Sequence, residues 1–226
     1  MRFDDSFKVL TRHSPYPWQT KLYESLVAGN VPPSLSLPTG AGKTSIIPLW
    51  LCAVWHQLED ERVLTAPRRL YFAVDRRIVV DQSEITAQQV RENARLTPLW
   101  GLLSDRTLSE DPLVVSVLRG QRVLEYDDII SHPSAFAVIL CTPDMVFSRL
   151  LGGAYGCSPR VASREMGLVG QDTFIVLDEA HISEGNIRVL DFVSRHNHSM
   201  KPFWWTTMSA TLRRNEPEPH LDAQGA

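Results

Sequence analysis

Cysteine is scarce: three of 226 residues, Cys52, Cys141 and Cys157. That number and scatter exclude a disulfide framework and a cysteine-rich metal knuckle, and make a reducing cytoplasm the default expectation. Long apolar runs are missing as well. The longest are strand-sized, which excludes a membrane span and a signal peptide. Positive charge is not in excess, because Lys plus Arg total 23 against 26 Asp plus Glu, for a formal net charge of -3. A uniformly basic nucleic-acid binder is thereby excluded, although a local positive groove is not. Histidine is nearly absent ahead of Lys43, where only His13 occurs, so no His-Asp pair can build a hydrolytic metal site there. What the chain does have is length and apolar content, 43% of residues, sufficient for a core that buries well over half of the surface.

Short apolar runs alternate with helical stretches. Trp18, Leu22, Leu26 and Val27 follow Pro15 and Pro17 at helical spacing and stop at Gly29, which predicts a helix over Trp18 to Ala28. A brief apolar strand in "SLSL" then passes through a glycine-rich turn into a helix, with Pro48 bending it or marking an irregular first turn. Further strands are expected at Leu70 to Val74, Leu113 to Leu118, Ala137 to Cys141, Thr173 to Leu177 and Phe203 to Thr207. A long helix follows the first of these, and Asp144 to Leu151 and Asn186 to Arg195 are helical or loop segments. Continuous apolar strands separated by helices predict an α/β fold with a mostly parallel central sheet and helices on both faces. Residues 1–211 form one domain in this reading, and the polar stretch 212–226, with two prolines, is expected to be frayed or disordered.

The sharpest chemical signal is "LPTGAGKT", Leu37 to Thr44, between the first strand and its helix. A triphosphate needs convergent N–H donors and a mobile cation. Thr39, Gly40, Ala41 and Gly42 provide a backbone that can curl around phosphates, Lys43 would bridge the β and γ phosphates, and Thr44 would offer its hydroxyl to Mg2+. "FIVLDEAH" is its partner. There a hydrophobic strand ends at Asp178, a candidate Mg2+ carboxylate, beside Glu179, a candidate base for the attacking water. The blander reading of this acidic pair is a helix cap.

"PTGAGKT", "DEAH" and "SAT" at Ser209 to Thr211 resemble motifs I, II and III of superfamily 2 helicases of the DEAD/DEAH type. "VDRRIVVDQ", Val74 to Gln82, resembles motif Ia; "LRGQ", Leu118 to Gln121, the Ib region; and "CTPDM", Cys141 to Met145, the TPD-type segment. The resemblance implies one RecA-like P-loop NTPase lobe with ATP and Mg2+ as cofactors and Gln19 reading adenine. It also implies that Arg76, Arg77, Arg119, Gly120, Thr142, Pro143 and Asp144 face single-stranded DNA, and that His181, Ser209 and Thr211 link nucleotide state to motif III. For Arg76 and Arg77 a solvated helix terminus is the other reading.

Within that superfamily the wording "FAVDRRIVVDQ", "LRGQ" and "LDEAH" before "MSATL" resembles the CRISPR-associated helicase-nuclease of type I systems, most nearly subtype I-G, formerly I-U. The implied partner is an RNA-guided CRISPR interference complex in antiviral defence. A second RecA-like lobe with arginine fingers and an HD nuclease are expected to lie outside this chain, which alone should then be idle. Two other readings stand beside it: another superfamily 2 DNA or RNA translocase, such as a restriction-system or DEAH-type RNA motor, and a nonmotor ATP-binding interaction module. His196 and His198, with Asp191 upstream, read as surface residues rather than metal ligands, and Cys141 as buried filler. Of Trp204 and Trp205, one is expected in the core and the other against a covering helix.

Overall fold

A computed structural model describes residues 2–38, 40–60, 64–74, 77–118, 129–153, 159–178, 184–197, 201–209 and 221–222. Three runs, RLYFAV, FAVILC and TFIVLD, are buried at every position. A strand buried on both faces belongs in the middle of a covered sheet, and these three are its centre. The strands are β1 Ser34–Ser36, β2 Arg69–Val74, β3 Leu113–Val117, β4 Phe136–Cys141, β5 Thr173–Asp178, β6 Phe203–Ser209 and β7 Leu221–Asp222. They form one sheet in the order β3-β4-β2-β5-β6-β1-β7. Every pairing is parallel, so all the strand C-termini open on the same edge.

The period-two alternation of the strands divides the core in two. Leu70, Phe72, Val74, Phe174 and Val176 face one apolar cluster, while Tyr71, Ala73, Ile175 and Leu177 face the other. The first cluster is closed by α1 Phe3–Thr11, α2 Pro17–Ala28, α3 Ile46–Glu59, α4 Arg77–Arg95 and α5 Pro98–Ser104. The second is closed by α6 Pro143–Leu150, α7 Pro159–Gly170 and α8 Glu184–His196. This is the expected α/β layering.

Local differences have physical causes. Pro48 is the third residue of α3, where its missing N–H costs no helical bond, and a 3-10 turn at Lys43–Ser45 precedes it. Trp204 packs against the first cluster, edge-on to Phe174 at 6.0 Å between centroids, and Trp205 packs against the second. Adjacent residues of a strand point to opposite faces, so the two rings pack on opposite sides of the sheet, and each is half-buried. Helices α1, α5 and α7 had no counterpart in the sequence reading. The polar stretch expected to be without structure contributes the edge strand Leu221–Asp222; its other residues, Leu212 to His220 and Ala223 to Ala226, lie outside the described residues.

Candidate functional site

The loop after β1 turns sharply at two glycines, Gly40 with φ 83° and Gly42 with φ 74°. Left-handed backbone of this kind costs little only without a Cβ. The Ala41 N–H donates to the Pro38 carbonyl at 3.2 Å, and the Ser45 N–H to the Gly42 carbonyl at 2.9 Å, closing the turn onto the helix start. Pro38 and Gly40 to Thr44 therefore form a strand-to-helix switch at the C-terminal edge of the sheet, with Thr39 outside the described residues.

Lys43 lies in this turn, and its ammonium is 3.6 Å from Oδ1 of Asp178, with both side chains only 9% exposed. Asp178 is the last residue of β5, and β6 alone separates that strand from β1. The parallel topology thus delivers a cation and a carboxylate, 135 positions apart in sequence, to one point on the edge. Thr44, half-buried beside them, completes a set of ammonium, hydroxyl and carboxylate that fits a magnesium-bound phosphate chain.

Gln19 is buried at the start of α2. Its Oε1 accepts the Tyr16 N–H at 2.8 Å, and its Nε2 donates to Ser45 Oγ at 2.7 Å. One amide therefore caps α2 and braces the turn after the phosphate loop. Ser45 was not singled out from the sequence, and nothing local could have marked it, since the contact spans 26 positions. A cavity of about 510 Å3 opens beside this brace, with Tyr16, Gln19, Gly42, Thr44, Thr86 and Gln89 on its walls, a size within the usual range for small-molecule sites. Helix α1 closes one side, held by the Asn93 amide of α4, which donates to the Leu10 carbonyl at 2.8 Å.

Ser209 ends β6 in register with Ser36 of β1, and its carbonyl accepts the Leu37 N–H at 3.0 Å. The third motif is thus bonded to the strand that presents the phosphate loop. On the other half of the edge, Thr142 caps α6 directly after β4, followed by half-buried Pro143 and exposed Asp144. Arg77 opens α4 after β2, and Arg119 and Gly120 follow β3 in sequence. Strands β2, β3 and β4 are neighbours, so the segments expected to meet nucleic acid leave one half of the edge and the nucleotide segments the other. Glu179, His181, Arg76, Arg119, Gly120, Thr211, His198 and the Arg77 side chain lie outside the described residues. His196 is exposed, with its Nδ1 2.8 Å from the Phe192 carbonyl oxygen. Among the described residues no cluster of three or more His, Cys, Asp or Glu could hold a metal by itself, and no helix is long and apolar enough to cross a membrane. Burial pushes the thiols of Cys52 and Cys141 up to about 12, with the Arg149 guanidinium acting the opposite way on Cys141.

The phosphate loop, the paired Lys43 and Asp178 and the all-parallel sheet agree with a family match over residues 12–214, to "Type III restriction enzyme, res subunit" (ResIII). The chain belongs to the ResIII family. It is a superfamily 2, RecA-like helicase domain of the DEAD/DEAH-like kind. No curated protein matches it. Among solved structures, the yeast DEAD-box splicing factor Prp28 is similar at 18% identity and a TM-score of 0.54, over 93% of this chain and 44% of that one. The DUF1998 helicase MrfA, bound to DNA and AMPPNP, is similar at 13% identity and a TM-score of 0.59, over 93% and 26%. The Mycobacterium smegmatis helicase Lhr, bound to ssDNA and AMP-PNP, is similar at 15% and 0.56, over 95% and 25%. At such identities these likenesses speak for the fold. This ResIII chain spans less than half the length of each.

Proposed function

We propose that this ResIII domain is the ATP-binding lobe of a superfamily 2 translocase that acts on DNA. The observation that carries the reading is the meeting of Lys43 and Asp178 beside a glycine turn at the sheet edge. In this role the N–H groups of Gly40 and of Gly42 to Thr44 would cradle phosphates, the Lys43 ammonium would turn from Asp178 toward them, and Thr44 and Asp178 would hold Mg2+. The metal supplies neutralisation of developing phosphate charge. Glu179 orients and deprotonates water, and Tyr16 and Gln19 face the nucleobase in the neighbouring cavity. Arg76, Arg77, Arg119, Gly120 and Thr142 to Asp144 hold the DNA backbone without reading sequence. His181, Ser209 and Thr211 report nucleotide state. Two of the similar structures, MrfA and Lhr, are bound to DNA together with an ATP analogue, which supports DNA as the strand.

Turnover in this scheme needs positive charge from a second lobe, whose arginine contributes roughly 10³–10⁵ in rate in comparable phosphoryl-transfer sites. The restriction-type translocase is favoured over a CRISPR interference motor by the family match. The CRISPR reading rests on the wording of residues 72–82 and 118–121, and the reading frame and genes beside this one discriminate the two. The test is binding of a fluorescent ATP analogue and of labelled oligo(dT) by the chain. Magnesium-dependent nucleotide binding that Lys43→Ala removes supports the reading; equal affinity of the variant refutes it.

A further inference from the structure

A buried ion pair joins the two helices that flank the sheet edge from below. Arg149 lies on α6, the helix opened by Thr142, Pro143 and Asp144; Glu165 lies on α7, from which the chain continues into β5 and ends at Asp178. Arg149 Nε donates to Glu165 Oε2 at 2.8 Å, with the side chains 5% and 0% exposed. Two charges taken out of water recover their hydration energy only through exact geometry, and an apolar pair of like volume commonly serves stability as well or better. Stability is therefore a poor explanation for this pair.

Its geometry suggests another. Arg149 Nη1 donates to the Met145 carbonyl at 3.2 Å and touches the Met145 sulfur at 3.4 Å. The peptide that bears this carbonyl also bears the Val146 N–H, which donates to the Thr142 carbonyl at 3.4 Å, while the Met145 N–H donates to the same oxygen at 3.0 Å. Hydrogen bonds thus run from Glu165 through the guanidinium and one peptide plane to Thr142. At the far end α7 is tied to the sheet. Arg69 of β2 donates to the Leu168 carbonyl at 3.2 Å and to the Gln171 carbonyl at 2.7 Å, and Thr173 Oγ1 of β5 donates to Leu168 at 2.7 Å.

We infer that Arg149 and Glu165 are positioning residues that lock the Thr142 to Asp144 segment in register with the strand carrying Asp178, so that DNA is gripped at a fixed offset from the nucleotide. This rests on the proposed DNA-binding function. Neither residue needs to touch either ligand, because the pair acts through α6.

The experiment compares the chain with Arg149→Met/Glu165→Leu, which keeps volume but breaks the chain of hydrogen bonds, and with Glu165→Gln, which keeps an acceptor. Thermal unfolding, binding of a fluorescent ATP analogue and anisotropy of labelled oligo(dT) are read on each. The double variant is expected to unfold cooperatively within a few degrees of the parent, to bind nucleotide within about twofold, and to lose about tenfold or more in oligo(dT) affinity, whereas Glu165→Gln alone is expected to keep most of the parental affinity. A folded double variant with parental oligo(dT) affinity overturns the inference and leaves the proposed function standing. Equal losses for both ligands also overturn it, since a merely structural pair would do that. If the parent chain binds nucleotide but no oligo(dT), the DNA reading fails, and this inference fails with it.

Discussion

Replacing Lys43 by Met removes one charge from the centre of the site and leaves its neighbour in place. The ammonium and the Asp178 carboxylate are 3.6 Å apart and 9% exposed, so salt and water screen them weakly. At an effective dielectric constant of about 20, unit charges at that separation attract by about 4–5 kcal/mol. Lost hydration offsets most of this, which leaves about 1–3 kcal/mol of net coupling. A cycle of Lys43→Met, Asp178→Asn and the double variant, unfolded in urea at 25 °C, measures that coupling directly. For a chain of this length it corresponds to a fall of about 3–10 °C in Tm for Lys43→Met alone. The same variant should bind ATP about 10- to 150-fold more weakly, the worth of one charge-assisted contact. Saturating Mg2+ and nucleotide should shrink the coupling, because each partner then turns to the ligand. Additive variants in the unliganded chain, together with unchanged ATP affinity, would refute the electrostatic account of the site.

Gly42→Ala places a side chain at φ 74°, where the added Cβ meets nothing closer than Gln19 Nε2 at 3.8 Å; the penalty is conformational, about 1–2 kcal/mol, and should appear both in urea unfolding and as weaker ATP binding. Arg69→Met removes the donor to the Pro133 carbonyl and one of two donors to each of the Leu168 and Gln171 carbonyls, where Thr173 Oγ1 remains, and is expected to cost about 2–4 kcal/mol, measured as a lower urea midpoint at an unchanged slope. Cys52 and Cys141 are raised by burial from 9.0 to about 12, and Tyr23, also mainly by burial, from 10.0 to about 12. The folded chain therefore keeps protons that the unfolded chain releases, so stability is full below pH 9 and declines as pH rises toward 12. Urea midpoints between pH 8 and 11 should show that decline, and Cys52→Ala/Cys141→Ala should flatten it.

How far the sequence could be read depended on where each residue's partners lie. Strands β2, β4 and β5 were legible because burial on both faces demands unbroken apolar runs, and the phosphate loop because only glycine tolerates its backbone. Asp178 was placed correctly at a strand end, since that position follows from the run before it. Helix α1 was missed although Phe3, Phe7 and Leu10 share one face, and α7 because its apolar stripe is short and lies behind a glycine-rich stretch. Arg149 and Glu165 carry no local mark, for charged residues 16 apart normally belong to solvent. The brace between Gln19 and Ser45 was hidden for the same reason: only the tertiary fold brings those polar atoms together.

The order in which the sheet is filled bears on how this protein can be made. β1 is three residues long, and its neighbours in the sheet are β6 and β7, both from the last part of the chain. The Leu37 N–H, which sets the angle of the phosphate loop, is held by the Ser209 carbonyl. At about 5–20 residues per second, a ribosome needs roughly 9–35 s to travel from the first of these residues to the second. Throughout that interval β1 has no sheet partner, whereas β2, β4 and β5 can already pair with one another. Because the Ser209 carbonyl holds the Leu37 N–H, the loop after β1 gains that anchor only once β6 has paired with β1. In this order the loop that follows β1 is among the last parts of the fold to close, and a chain stopped before residue 209 lacks the bond that sets it.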